Sequence, residues 1–364
     1  MNKKISIIGI GKLGLCFALN AEKNGYRILA VDINKDYIDQ LNNKKFNSDE
    51  KGVNKLLRTS TKIKLSNEVG DALKFSKNIF IFVDTPSKKN GEYDHSKIDK
   101  IIKQIKKYKL NSKLNLVIGC TVMPGYCEKL QKNLGQKYKI AYNPEFIAQG
   151  TIIKDQQYPD MVLIGSKYKD LSNIIKKINC DIAKNKPRIS IMSTTEAEIT
   201  KLSLNCFLTT KISFANMIGD LAIKSNCNPA KILQSIGSDS RIGSKYLNYG
   251  YGFGGPCFPR DNVALGKYAK KIGNYYDISK ATDYSNHKHL EFQARQILKN
   301  NKNKQIYFKY VTYKKESISI EKSQKLALAV KVAKKIKVTI HERKKVIDVI
   351  KNKYKNLFKY IEIN

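Results

Sequence analysis

The chain has 364 residues, enough for two or three domains that each have a core, and its hydrophobic content of 41% excludes wholesale disorder. The 68 Lys and Arg residues outnumber the 31 Asp and Glu residues, and the resulting net charge of +37 would suit a nucleic-acid-binding protein. The lysines are spread along the whole chain and no nucleic-acid-binding motif accompanies them. We therefore predict a solvated basic surface and no nucleic-acid partner.

The cysteines and histidines argue against a disulfide-bonded protein and against a metal-binding protein. The seven cysteines form no CxxC pair, and the four histidines do not combine with them at ligand spacing, so we predict reduced thiols, a cytoplasmic location and no metal site.

Lys12 interrupts the apolar run near the N-terminus, which argues against a signal peptide. No later apolar run is long enough to cross a membrane, so no membrane partner is expected.

The chain begins with a predicted strand–helix–strand unit. "KISIIGIG" predicts a strand, "LGLCFALNAEKNG" an amphipathic helix closed by Gly25, and "YRILAVD" a second strand. Further strands are predicted at "NIFIFVDTP", "LNLVIGCT", "KIAYNPEF" and "DMVLIG", with lysine-rich helical stretches between them. This alternation predicts an α/β fold with a parallel, doubly wound sheet.

The pattern changes after Pro187. The sequence predicts helix from Thr194 to about Ile236, a Gly-rich loop at 248–256 and more helix to about Leu298. Residues 304–364 predict a third, small α/β piece with strands at "KQIYFKYVTYK", "KVTIHE" and "FKYIEIN". We therefore expect three domains, at 1–190, 191–298 and 299–364.

The stretch "GIGKLG" has the pattern of a dinucleotide-binding turn. Gly9, Gly11 and Gly14 lie between a strand and a helix, and Asp32 ends the next strand near the expected spacing. The glycines allow backbone approach to a pyrophosphate, and Asp32 can accept both ribose hydroxyls, which favours NAD over NADP. The alternative is a merely structural turn.

Other motifs allow both a structural and a chemical interpretation. "CTVMPG" at 120–125 and "NPEF" at 143–146 follow strands, where a doubly wound sheet binds ligands, but ordinary turns occur there too. Lys201 and Asn205 are four apart and share a helix face, as many solvated pairs do. In "YGYGFGGPCFPRD", Cys257 is either a small packed thiol or a nucleophile on a loop that lets substrate approach.

Together these residues resemble the UDP-glucose/GDP-mannose dehydrogenase family, most closely its UDP-glucose branch, over roughly the first 290 residues. The resemblance implies a Rossmann-like NAD-binding domain, a central helical dimerisation domain with the cysteine loop, and a shortened UDP-binding-like α/β domain. It also implies a homodimer that oxidises the C6 alcohol of a UDP-sugar to a carboxylate with two NAD⁺. The alternatives are GDP-mannose or another nucleotide sugar as substrate, or a catalytically silent sugar-nucleotide-binding protein.

The resemblance also implies residue roles. Cys257 matches the nucleophile, Asp261 the group that orders the basic water, and Glu145 the residue assigned to thioester hydrolysis. Lys201 and Asn205 match residues that polarise the C6 oxygen, and Thr121 is expected near the nicotinamide. The expected cofactor-binding residues are Gly9, Gly11, Lys12, Leu13, Gly14, Asp32, Thr85, Thr121, Gln149 and Arg260. The expected substrate-binding residues are Glu145, Phe146, Lys201, Asn205, Arg241 (reaching across the dimer), Tyr249, Tyr251, Gly252, Phe253, Gly254 and Lys314.

General chemistry agrees with these roles. A thiolate that adds to an aldehyde gives a thiohemiacetal, which yields a second hydride more readily than a hydrate does, and the thioester then needs activated water. A nearby lysine stabilises both the thiolate and the oxyanions.

The sequence departs from the family pattern at a few positions. Pro256 stands where serine is frequent, Arg260 replaces a lysine and Gln149 replaces an acid. The third domain diverges further: Tyr310 replaces a glycine and Glu321 an arginine, although Lys314 persists, and the chain stops some tens of residues early. We expect nucleotide binding by this domain to be the most altered feature.

Overall fold

The computed structural model describes residues 3–108, 112–301, 305–315 and 317–363. The chain divides into two compact units, Met1–Lys201 and Leu202–Asn364. The predicted three-domain division remains a prediction.

The first unit is built on a large sheet. Among the described residues the sheet has eight strands in the order β3-β2-β1-β4-β5-β6-β7-β8, and neighbours from β3 to β6 are parallel. The strands are β1 (Lys4–Ile8), β2 (Arg27–Val31), β3 (Ile63–Ser66), β4 (Asn78–Ile81), β5 (Leu114–Ile118), β6 (Tyr138–Tyr142), β7 (Met161–Gly165) and β8 (Arg188–Met192).

Helices cover both faces of this sheet. In β1, Ile5 and Ile7 pack into the core beneath α1 and α8, whereas Ile8 packs into the opposite core beneath α4, α5 and α6. Both faces of the central strands are therefore apolar, as the continuous hydrophobic runs predict. The doubly wound α/β fold is confirmed. The helices are α1 (Lys12–Lys23), α2 (Lys35–Asn42), α3 (Val53–Thr59), α4 (Val69–Phe75), α5 (Ser96–Lys106), α6 (Tyr126–Leu134), α7 (Ile152–Gln157) and α8 (Lys169–Ile182).

The edges of the sheet differ from the sequence-based expectation. Strands β3 and β8 were not predicted, because each lies at an edge and neither has the continuous buried run of a central strand.

The junction of β6 with β7 is antiparallel and rests on the pair Tyr142 and Gly165. The sequence predicts a parallel sheet, but β6 and β7 run in opposite directions where they meet at this pair, and β7 then pairs with β8 in parallel.

The second unit is mainly helical. The predicted long helix is α9 (Thr194–Lys224), and it ends earlier than expected because Asn226 adopts a positive φ of 55°. A new helix, α10 (Pro229–Ser238), follows, with the Asn228 side chain accepting hydrogen bonds from its first turn. The unit continues with α11 (Phe258–Lys271) and α12 (Asp277–Asn300).

A small sheet completes the second unit. Its described strands are parallel in the order β11-β10-β9, which confirms the predicted small α/β piece. None of the described helices has the length and apolar composition needed to cross a bilayer. The elements are β9 (Ile306–Lys309), α13 (Gln324–Ala333), β10 (Val338–Glu342), α14 (Lys344–Tyr354) and β11 (Lys359–Glu362).

Candidate active site

The turn between β1 and α1 needs two of its glycines for packing. Gly9 has φ +88°, and a Cβ there would lie 2.3 Å from the Phe82 carbonyl oxygen. A Cβ on Gly14 would lie 2.1 Å from the Gly9 carbonyl oxygen. By contrast, a Cβ on Gly11 would meet no described atom within 4 Å. The turn is therefore tight on its protein side and open at Gly11, where α1 begins, as a pyrophosphate site requires.

Asp32 is fixed beside this turn. Its carboxylate accepts hydrogen bonds from the Ile10 N–H (3.2 Å) and the Asn34 N–H (3.1 Å). The Tyr37 hydroxyl donates to the Ile10 carbonyl oxygen at 2.8 Å. Ile33 is 86% exposed, which is unusual for a large apolar residue directly after a buried strand. The predicted ribose-binding residue Asp32 thus lies next to the glycine turn. In the first turn of α1, Lys12 is exposed and Leu13 is half-buried.

The loops after β4 and β5 are joined to each other. The Thr85 hydroxyl donates to the Thr121 carbonyl oxygen at 2.7 Å. The Met123 N–H donates to Nε2 of His95 at 3.2 Å. Burial lowers the pKa of His95 to about 4, so its ring is neutral at physiological pH and can accept this bond. The sequence offered no motif for His95, because its role depends on a loop 28 residues away.

Glu145 and Lys201 meet in the first unit. The Lys201 ammonium donates to the Glu145 backbone carbonyl at 2.6 Å and lies 4.4 Å from the centre of the Phe146 ring. Burial raises the pKa of Glu145 to about 7, and the positive charge of Lys201 opposes that rise. A carboxyl group that titrates near neutral pH suits a general base.

A buried glutamate fixes the loop that follows "NPEF". The carboxylate of Glu50, 4% exposed, accepts the Gly150 N–H with both oxygens at 2.8 Å. Gly150 has a positive φ of 93°, and the half-buried Gln149 precedes it. Glu50 was not predicted, because it is 100 residues from the backbone that it holds.

In the second unit, the Asn205 amide donates to the Asp261 carboxylate at 2.5 Å, and Asp261 is 1% exposed. Cys257 is exposed at the N-cap of α11, and its carbonyl oxygen accepts the Arg260 and Asp261 N–H groups at 3.0 and 2.9 Å. The positive end of a helix dipole stabilises a thiolate. Arg260 itself is half-buried.

The Gly-rich loop needs its glycines for close packing. A Cβ on Gly252 would lie 2.2 Å from Oδ1 of Asn286, and one on Gly254 would lie 2.2 Å from the Lys322 carbonyl oxygen. Of the aromatic residues, Phe253 is 3% exposed and Tyr251 is 44% exposed. The Phe253 ring is therefore packed inside the unit, while Tyr251 presents its ring to solvent.

Two further predicted substrate-binding residues lie in the second unit. The Arg241 side chain is 86% exposed and pairs with Asp239 at 2.7 Å. Lys314 is half-buried in the loop after β9, and its carbonyl oxygen accepts the Thr312 hydroxyl at 3.0 Å. The structure thus groups Lys201 with Glu145 and Phe146, and Asn205 with Asp261. Among the described residues there is no cluster of three or more His, Cys, Asp or Glu side chains that could hold a metal ion.

Solved structures resemble the chain along nearly its whole length. A UDP-glucose dehydrogenase from Pyrobaculum islandicum superposes with a TM-score of 0.89 and 24% identity, covering 99% of this chain and 86% of that one. A GDP-mannose dehydrogenase from Pseudomonas aeruginosa gives a TM-score of 0.60, also at 24% identity, covering 96% and 83%. At these identities the likeness concerns the fold alone.

Sequence comparison goes further. A UDP-glucose 6-dehydrogenase of Rickettsia bellii is 33% identical over 279 residues, which are 75% of this chain but only 64% of that protein. The corresponding enzyme of Campylobacter jejuni is 31% identical over 283 residues, 76% of this chain and 68% of that protein. Residues 3–182 match the NAD binding domain of one family, which confirms NAD as the cofactor, and residues 195–288 match its central domain. The chain belongs to the UDP-glucose/GDP-mannose dehydrogenase family.

Proposed function

We propose that the chain is an NAD-dependent nucleotide-sugar 6-dehydrogenase that converts UDP-glucose to UDP-glucuronate. The observation that carries the proposal is the pair Lys201 and Asn205, one turn apart on α9. Lys201 bonds to the "NPEF" loop, and Asn205 bonds to Asp261 on the helix that begins at Cys257. The names of the sequence relatives support UDP-glucose over GDP-mannose.

In this proposal bound NAD⁺ would supply the hydride acceptor for the sugar C6 in each of two steps. Lys201 and Asn205 hold the C6 oxygen, and a water ordered by Asp261 takes the hydroxyl proton, which leaves an aldehyde. The Cys257 thiolate adds to the aldehyde carbon, and loss of the second hydride gives a thioester. Glu145 deprotonates the water that cleaves it, releasing the carboxylate and the thiolate. Overall, one alcohol, one water and two NAD⁺ give one carboxylate, two NADH and three protons.

Cofactor placement follows from the first unit. The open side of Gly11 and the start of α1 would receive the pyrophosphate, and Asp32 would accept the ribose hydroxyls. The exposed Ile33 would cover one face of the adenine. All seven cysteines lie in the described part of the chain and remain thiols there, which supports the predicted cytoplasmic location.

A second copy of the chain is the proposed partner. Four large apolar side chains of α9 are 43 to 66% exposed and lie within one face of the helix: Phe207, Phe214, Met217 and Leu221. Their spacing of seven, three and four residues is the spacing of helices that pack on one another. A symmetric dimer would bury this stripe, and the exposed Arg241 is then available to the partner's site.

The test is a panel of UDP- and GDP-sugars with NAD⁺, followed by NADH absorbance and by analysis of the sugar product. We expect UDP-glucose to give two NADH per sugar. Cys257→Ala should fold and bind both ligands yet make no acid, whereas Cys227→Ala, which changes another exposed thiol of the same unit, should behave as the unaltered protein. Acid formation by Cys257→Ala at a near-normal rate contradicts the mechanism, and absence of turnover with every sugar favours the silent binding protein.

A further inference from the structure

The backbone of the Gly-rich loop is held by side chains from two helices. Asn216 of α9 accepts the Gly250 N–H at 3.0 Å. Asn286 of α12 accepts the Phe253 N–H at 2.9 Å and donates to the Phe253 carbonyl oxygen at 3.0 Å. Exposed loops usually bond their backbone to water, so this degree of side-chain bonding makes the loop a fixed element.

A buried histidine lies at the centre of these contacts. His289 of α12 is 2% exposed, and its Nδ1 lies 2.9 Å from both carboxylate oxygens of Asp220 on α9. Its Nε2 lies 2.7 Å from the Gly250 carbonyl oxygen. Both partners present oxygen atoms, so each ring nitrogen of His289 lies within hydrogen-bonding distance of an acceptor.

Two neighbours complete the arrangement. The Tyr249 hydroxyl donates to the Asp220 carboxylate at 3.0 Å, and the Tyr249 ring packs edge-on against His289 with centroids 5.5 Å apart. Gln293 donates to the Gly250 carbonyl oxygen at 2.9 Å, so that oxygen accepts two hydrogen bonds. Gly219 allows Tyr249 to lie against α9, because a Cβ there would be 1.9 Å from the Tyr249 ring.

The loop is bound on one side and open on the other. A Cβ on Gly250 would meet no described atom within 4 Å, and Tyr251 is exposed beside it. A buried polar pair such as Asp220 and His289 is seldom needed for stability, since apolar residues of similar volume pack as well. A pair that fixes one carbonyl of an otherwise open loop instead determines where that loop lies.

We propose that Asp220, His289 and Tyr249 form a hydrogen-bonded brace that positions the backbone of residues 248–254 to receive the sugar nucleotide. This inference rests on the proposed function. The three are positioning residues: they set the affinity for the sugar nucleotide and leave hydride transfer and NAD binding unchanged.

The test uses matched polar substitutions. In His289→Gln, the glutamine side-chain oxygen faces the Asp220 carboxylate, so two acceptors meet and no hydrogen bond forms between them. The loss of this bond should release the loop and raise the KM for UDP-glucose about 10-fold or more. The double variant Asp220→Asn/His289→Gln restores every donor–acceptor pair without charge, because the new amide at position 220 donates to the one at position 289 and still accepts from Tyr249. Its KM should return to within about 3-fold of the unaltered protein. Both variants should keep kcat and the KM for NAD⁺.

A control and a milder variant complete the series. His287→Ala removes a contact between the exposed His287 ring and Glu291 on the same helix and should leave both KM values unchanged. Gln293→Leu removes one of the two donors to Gly250 and should raise the KM for UDP-glucose about 3-fold, even if His289→Gln does not fold.

Amide hydrogen exchange separates this proposal from the proposed function. Whether or not any sugar is turned over, exchange at Gly250, Tyr251 and Phe253 should be faster in His289→Gln and return to normal in the double variant. The brace is refuted if loop exchange is unchanged in His289→Gln, if the double variant is not rescued, or if the KM for NAD⁺ rises equally. Rescued exchange in a protein that turns over no sugar would support the brace and count against the enzyme.

Discussion

Replacing Glu145 with glutamine should stabilise the first unit at neutral pH. Burial raises the pKa of this carboxyl group from 4.5 to about 7, so the folded chain holds the proton more tightly than the unfolded chain does. Below pH 4.5 the group is neutral in both states and costs nothing. As the pH rises towards 7, ionisation destabilises the folded state, by about 3 kcal/mol in full at 1.36 kcal/mol per pKa unit.

Glutamine stays neutral, and the Lys201 hydrogen bond survives because Lys201 bonds to the backbone carbonyl of residue 145. Thermal unfolding of Glu145→Gln should therefore match that of the unaltered protein near pH 4.5. Near pH 8 the unfolding temperature of Glu145→Gln should be higher than that of the unaltered protein by about 6 to 12 °C. Glu68→Gln, at an exposed position of the same unit, is the matched control and should show no such difference.

The same variant has a chemical readout. If Glu145 deprotonates the hydrolytic water, Glu145→Gln should release two NADH per site and then stall with the sugar acyl group on Cys257, which intact-protein mass spectrometry detects. A variant that is no more stable than the unaltered protein near pH 8, or whose gain is the same at both pH values, would refute the reasoning about burial. Continued turnover without an adduct would refute only the catalytic role.

Two further predictions concern cofactor choice and assembly. The Asp32 carboxylate repels a 2′-phosphate, so kcat/KM with NAD⁺ should be at least about 10-fold higher than with NADP⁺, which corresponds to about 1.4 kcal/mol. Equal kcat/KM values for the two cofactors would contradict this prediction. Leu221→Glu places a charge in the exposed apolar stripe of α9, so this variant should be a monomer in analytical ultracentrifugation. If the unaltered protein is itself a monomer, the proposed dimer is wrong.

The sequence alone identifies features that depend on local chemistry. The turn at Gly9 to Gly14 and Asp32 lies within one strand–helix–strand unit, so its spacing is visible in the chain. The Cys257 loop is similar, because the glycines and prolines around one cysteine are adjacent in the chain, although this pattern alone allows either a packed thiol or a nucleophile. Central strands such as β1 are predicted because both of their faces are buried, and their apolar runs are continuous.

The tertiary structure decides what depends on contacts between distant segments. Edge strands β3 and β8 lack a continuous apolar run, so only their pairing identifies them. Glu50 is an ordinary loop acid until folding brings it to the Gly150 N–H, and His289 is one of several histidines until Asp220, 69 residues away, lies beside it. A buried polar side chain takes its function from the partner that satisfies it, and that partner is fixed only when the packed helices and loops bring the two together.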